Sequence, residues 1–161
     1  GHGAIGMVQV RGPNVFSGYW NMPDKTREEL RDNGFFITGD LGQFDSDGYL
    51  TIVGRSKDVI ISGGYNIYPK EVEMVLDDQP GVLESAVIGV PHADFGEAVM
   101  GILVARPGAK IDIDGALASA AHQLAKFKLP KRMIVIDQLP RNTMGKVQKN
   151  LLRNRFSGPV N

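Results

Sequence analysis

Four short segments bring together residue types that chemistry uses. Thr38-Gly39-Asp40 places a carboxylate after a strand-like run and beside a glycine. An acceptor-only carboxylate there can take both hydroxyls of a ribose, and a turn or capping aspartate is the simpler alternative. Gly54-Arg55-Ser56-Lys57-Asp58 stands where a meander of short strands gives way to alternating strands and helices, which marks a domain boundary. Ser62-Gly63-Gly64 lets a backbone or a narrow ligand pass closely, because neither glycine carries a Cβ; a strained turn explains it equally well. Thr143-Met144-Gly145-Lys146 invites comparison with a phosphate-binding loop, but that pattern needs a glycine where Pro140 stands. What remains is a lysine after a glycine on a loop, either a point charge aimed at an anion or an ordinary exposed lysine.

Other chemistries find no support. His2, His92 and His122 are far apart, and neither an HExxH spacing nor paired carboxylates accompany them, so no resident metal is expected. His122 is expected to pack partly buried at the edge of a helix, and His92, between Pro91 and Asp94, to serve a surface turn. A GxSxG elbow is missing, which leaves a serine hydrolase without a nucleophile. The sequence has no cysteine, so it has no disulfide framework or thiolate metal site, and a reducing, cytoplasmic setting fits. No stretch approaches the roughly 18 apolar residues of a membrane span. Eighteen basic residues balance eighteen acidic ones, which argues against bulk nucleic-acid binding. The balance hides an asymmetry: nine basic residues and one acid between Lys126 and Arg155 give that segment +8 and the remainder −8. The basic ending either meets an anion or is a solvated face.

The elements that must position these groups follow from periodicity and turn chemistry. At 161 residues the chain can bury a core. Met7–Arg11 reads as a strand, Pro23–Asp32 as a helix ended by Asn33-Gly34, and Phe35–Thr38 as a strand. Leu41–Phe44 and Tyr49–Val53 flank Asp45-Ser46-Asp47-Gly48 as a hairpin. These strands suggest a small sheet or part of a barrel, too small to be a domain alone. Beyond the boundary, Val59–Ile61 is β-branched. Pro69 opens a helix to about Asp78 with Val72, Val75 and Leu76 on one face. Val82–Val90 and Ala98–Ala105 read as strands joined by a loop over 91–97. A helix over 114–126 is expected to bury Leu117, Ala120, Ala121 and Leu124, followed by a strand at Met133–Ile136 and a terminal helix over 147–156. The fold class is α+β. The first residues do not resemble a signal peptide, and a chain without an initiating Met is expected to begin inside a longer protein or after a tag scar.

Five segments in order carry a resemblance: Gly12-Pro13-Asn14-Val15-Phe16-Ser17-Gly18-Tyr19-Trp20, Thr38-Gly39-Asp40-Leu41, Gly54-Arg55-Ser56-Lys57-Asp58, Ser62-Gly63-Gly64-Tyr65-Asn66-Ile67-Tyr68-Pro69-Lys70-Glu71-Val72-Glu73 and Pro140-Arg141-Asn142-Thr143-Met144-Gly145-Lys146. Together they resemble the C-terminal third of the adenylate-forming acyl-CoA synthetase superfamily. Residues 89–97 and 141–149 look most like malonyl-CoA synthetase. The resemblance implies the end of a large domain with a β-barrel-like subdomain over residues 1–56. It implies a mobile α+β domain over residues 57–161, with a short antiparallel sheet flanked by helices and a hinge near Lys57.

The implied activity is an AMP-forming carboxylate:CoA ligase, with Mg²⁺-ATP and CoA as substrates and a small acid such as malonate or methylmalonate. The resemblance gives Lys146 the adenylation role, sets Asp40 and Arg55 on ATP and AMP, and lines the CoA pantetheine tunnel with Gly63 and Gly64. It also makes Lys146 a candidate target for a lysine acetyltransferase, since acetylation removes the charge. The upstream phosphate loop, adenine-holding motif and acid pocket are not in this sequence, so the isolated chain is expected to be inactive. Fatty-acid or aromatic-acid ligases and carrier-protein-loading adenylation domains remain alternatives. A basic anion-binding module is the non-enzymatic one.

Overall fold

The computed structural model describes residues 3–158; Gly1, His2 and residues 159–161 lie outside them. The chain divides into two compact units, Gly1–Lys57 and Asp58–Asn161.

The first unit is an open three-stranded antiparallel sheet, β1 (Gly6–Val10), β2 (Phe36–Phe44) and β3 (Leu50–Arg55), in that spatial order. Its described residues form no closed barrel. Helix α1 is shorter than its pattern suggests, Pro23–Glu29, because Leu30 turns extended and bridges to Phe36. The two expected strands on either side of Gly39 are one continuous strand, β2. At the hairpin, the Asp45 carboxylate accepts the N–H groups of Asp47 and Tyr49. Such local bonds are why Asp opens turns so readily.

The second unit holds a five-stranded sheet. Strands β4 (Ile60–Ser62), β5 (Tyr65–Ile67), β6 (Val82–His92) and β7 (Gly96–Ala105) are antiparallel in the order β5-β4-β7-β6, and β8 (Arg132–Ile136) pairs parallel to β7. Helix α2 (Pro69–Asp77) begins on the expected proline, and α3 (Ile113–Ala120) is capped by Asp112, whose side chain accepts the Gly115 N–H. Helix α4 (Lys149–Arg155) closes the unit.

The sheet is covered on both faces, which is why residues 98–104 read as an unbroken apolar run. Val87, Val99 and Leu103 face Val72 and Leu76 of α2 and Ala120 of α3; Ile88, Met100 and Ile102 pack with Leu139 and with Leu152 of α4. Three expectations change. The loop over 91–97 is mostly strand, because Pro91 sits on β6, an edge strand with no partner beyond β7 for its missing N–H. Helix α3 stops at Ala120, so Ala116 is buried, Leu117 is half-buried, and Ala121 and His122 are exposed. His122 therefore has no packing role. His92 is at a turn as expected, its Nδ1 accepting the N–H groups of Asp94 and Phe95.

Candidate functional site

In the first unit, the β2–β3 register sets Asp40 directly opposite Arg55, with Oδ1 and Nη1 3.0 Å apart. Gly39 has φ +75°, a conformation inside a strand that a side chain would strain. The Thr38 hydroxyl donates to the Val8 carbonyl and accepts the Asp40 N–H, so the carboxylate stands on pinned backbone. A cavity of about 530 Å³ is lined by Tyr19, Lys25, Glu29, Thr38, Arg55 and Lys57, among others. Tyr19 donates to Glu29 at 2.5 Å, and the Lys25 ammonium sits 4.7 Å from its ring centre. The Tyr19 phenol is pushed up from its ordinary value by that hydrogen bond first, then by desolvation and the Glu29 charge. Lys25 and Glu29 were not singled out in the sequence, because they fall inside the expected helix and outside every motif.

Lys57 is exposed in a single 3-10 turn, Ser56–Asp58, at the last position of the first unit. Asp58, the first residue of the second unit, pairs with Arg153 of α4 at 2.6 Å.

Gly63 and Gly64 make the two-residue turn between β4 and β5, with φ +55° and +83°. Positive φ at both central positions is the hairpin turn that demands glycine, so the turn alone accounts for both residues. The Gly63 N–H donates to the Phe95 carbonyl at 3.0 Å. Beside the turn lies a cleft of about 390 Å³ lined by Ser62, Gly63, Tyr65, Phe95, Lys126, Phe127 and Lys131. Tyr65 and Phe127 stack with centroids 4.5 Å apart, and the Lys131 ammonium is 5.1 Å from the Phe95 centroid. Aromatic faces with adjacent cations suit a planar or anionic ligand. In the sequence Ser62-Gly63-Gly64 and the excess of positive charge after Lys126 pointed here separately, and their meeting with Phe95 was not readable because the lining comes from three separate stretches of chain.

Lys146 is on a loop closed by an antiparallel bridge between Arg141 and Val147. The Asn142 side chain accepts the N–H groups of Met144 and Lys146, and the Asn142 N–H donates to the Lys146 carbonyl. The Lys146 side chain is exposed, and no carboxylate among the described residues pairs with it. A cation on ordered backbone without its own counter-ion is available to an anionic ligand. Thus Asp40, Arg55 and Lys57 lie in one unit, and Gly63, Gly64 and Lys146 in the other. Among the described residues no three His, Asp or Glu side chains are grouped to hold a metal ion, and no helix is long and apolar enough to cross a membrane.

Residues 71–146 match the AMP-binding enzyme C-terminal domain. That stretch is an AMP-binding enzyme C-terminal domain. The chain is 47% identical over 154 residues to a feruloyl-CoA synthase from Amycolatopsis sp., covering 96% of this chain and 31% of the relative. ATP-bound MatB from Rhodopseudomonas palustris is 60% identical with TM-score 0.91, over 98% of this chain and 31% of that one. Apo MatB from the same organism, at the same identity and coverage, aligns with TM-score 0.72. The two MatB structures therefore differ from each other over the stretch matched by this chain. The chain spans about a third of the length of these relatives.

Proposed function

We propose that this chain is the C-terminal part of an ATP-dependent carboxylate:CoA ligase. The observation that carries the reading is the 60% identity to ATP-bound MatB across 98% of the chain. In the first half-reaction a carboxylate oxygen attacks the α-phosphorus of Mg²⁺-ATP. The bond to the leaving pyrophosphate breaks, and an acyl-adenylate forms. In the second, the CoA sulfur attacks the acyl carbonyl, a C–S bond forms, the thiol proton is lost and AMP departs. Mg²⁺ arrives with ATP as part of the substrate.

Two anions must meet for the first step, and a fixed cation offsets their repulsion and the charge that develops at phosphorus. Lys146 takes that role. Asp40 accepts the ribose hydroxyls, while Arg55 holds its carboxylate in place and stands near the phosphate. The turn at Gly63-Gly64 walls the path of the pantetheine arm, and the aromatic and cationic cleft beside it receives the remainder of CoA. Residues 1–56 belong to the large domain of the ligase, residues 57–161 form its mobile domain, and Lys57 is the hinge. The difference between the two MatB structures within the matched stretch supports such a rearrangement.

The acid is malonate or methylmalonate, supported by the likeness of residues 89–97 and 141–149 to malonyl-CoA synthetase. The feruloyl-CoA synthase match favours an aromatic acid as the second reading. In the longer enzyme, Lys146→Ala is expected to slow ATP–pyrophosphate exchange by about 10²- to 10³-fold. Thioester formation from supplied acyl-adenylate should be spared. Equal loss in both half-reactions would overturn the role of Lys146. AMP release measured with malonate, methylmalonate, a fatty acid and ferulate decides the acid.

A further inference from the structure

Lys146 is held by more than its own turn, and the residues that brace it have no part in the reading above. We propose that Arg141 and Glu84 are a positioning pair that sets the direction in which Lys146 leaves its loop. The inference rests on the adenylation role of Lys146. Arg141 donates from Nη1 to the Gly145 carbonyl at 2.6 Å and from Nη2 to the Glu84 carboxylate. One guanidinium thereby ties the peptide entering Lys146 to β6, where Glu84 is paired with Val104 in the middle layer of the unit. The far flank is fixed as well: the Gln148 N–H donates to the Pro140 carbonyl at 2.8 Å, and Lys149 pairs with Glu73 of α2 at 2.6 Å.

The need for a brace follows from the local backbone. Gly145 has φ +77° and no Cβ, so the peptide before Lys146, whose N–H is held by Asn142, is fixed at both ends only when its carbonyl is held as well. A lysine ammonium at the end of four rotatable bonds can meet a phosphate reproducibly only if its own Cα is fixed. Arg141 and Glu84 side chains are 43% and 29% exposed, and a pair so open to solvent contributes little to stability. Its effect falls on geometry, and a misplacement of about 1 Å can cost some 10²-fold in rate. The planar fork of arginine reaches both acceptors at fixed angles, which the compact charge of lysine does not reproduce.

The test uses Glu84→Gln, Arg141→Gln and Arg141→Lys in the longer ligase that carries this chain. Each is expected to lower kcat for ATP–pyrophosphate exchange about 10- to 100-fold, with KM for ATP, thermal stability and thioester formation from supplied adenylate nearly unchanged. The Glu84→Gln/Arg141→Gln double variant should be no slower than the worse single variant, as for two residues acting as one unit. Endoproteinase Lys-C should cut after Lys146 faster in both Gln variants, a readout independent of catalysis. Unchanged exchange and unchanged cleavage, or losses that multiply in the double variant, would overturn the proposal. If the unmodified enzyme shows no exchange with any acid while cleavage still accelerates, the adenylation reading fails by itself.

Discussion

The two units of the chain are built on opposite economies of burial. In Asp58–Asn161 the sheet is covered on both faces, and every buried apolar side chain among the described residues, from Ile60 to Leu152, belongs to this unit. Among the described residues of the first unit the only buried one is Gly42, which lies under Leu50 and Val8. Phe44 and Leu50, paired across the β2–β3 hairpin, and Ile52, opposite Gly42, remain 52%, 43% and 48% exposed. A unit with its own core can move as a body, whereas a sheet with an open apolar face needs cover from elsewhere. That contrast fits the proposal that the first unit belongs to a larger domain and the second is the part that swings.

The contrast can be broken or sharpened by substitution. The largest effect is expected for Leu76→Ala, whose side chain is fully buried between α2 and the sheet: about 2–5 kcal/mol of unfolding free energy, read by urea titration. Next comes Glu73→Gln. Glu73 accepts the Val87 N–H and pairs with Lys149, so losing its charge should cost about 2 kcal/mol in the same titration. Ile52→Ala should cost under about 0.5 kcal/mol in this chain, and more in the longer ligase if the proposed large domain covers that face. An Ile52→Ala loss as large as that of Leu76→Ala in this chain would show that the first unit has a core of its own.

The smallest effect is a titration. The Tyr19 phenol is raised above its ordinary value near 10, so its contribution to stability is complete below about pH 10 and is lost as pH rises through the folded value. Absorbance at high pH should show one phenol ionising late, and Tyr19→Phe should remove that late step. If no late step is present, Glu29 does not hold the phenol.

Much of this arrangement was legible in the sequence because it rests on local chemistry. Pro69 opens α2, Asp45 and Gly48 turn the β2–β3 hairpin, and α3 begins at Ile113, one residue before the expected start. What was not legible depends on partners distant in sequence. A run such as Met133–Ile136 declares a strand but not its direction, so the parallel pairing with β7 could not be read. Pro91 suggested a loop because its tolerance on an edge depends on which strands flank β6. Asp40 and Arg55 were each visible, but their opposition depends on a register that shifts between Leu41 and Gly42. The cleft at Phe95, Phe127 and Lys131 joins a hairpin tip to a segment some thirty residues later, and no local pattern marks that meeting.

The parallel strand has a consequence in time. Strands β6 and β7 are joined by a tight turn and can zip together within microseconds, whereas β8 must wait for residues 106–131 to close behind it. Helix α4 and the Lys146 loop follow β8 in the chain and rest on residues of α2 and β6. Folding would then finish where Lys146 is seated, and hydrogen exchange should find the Lys146 loop opening before the β6–β7 pair that supports it.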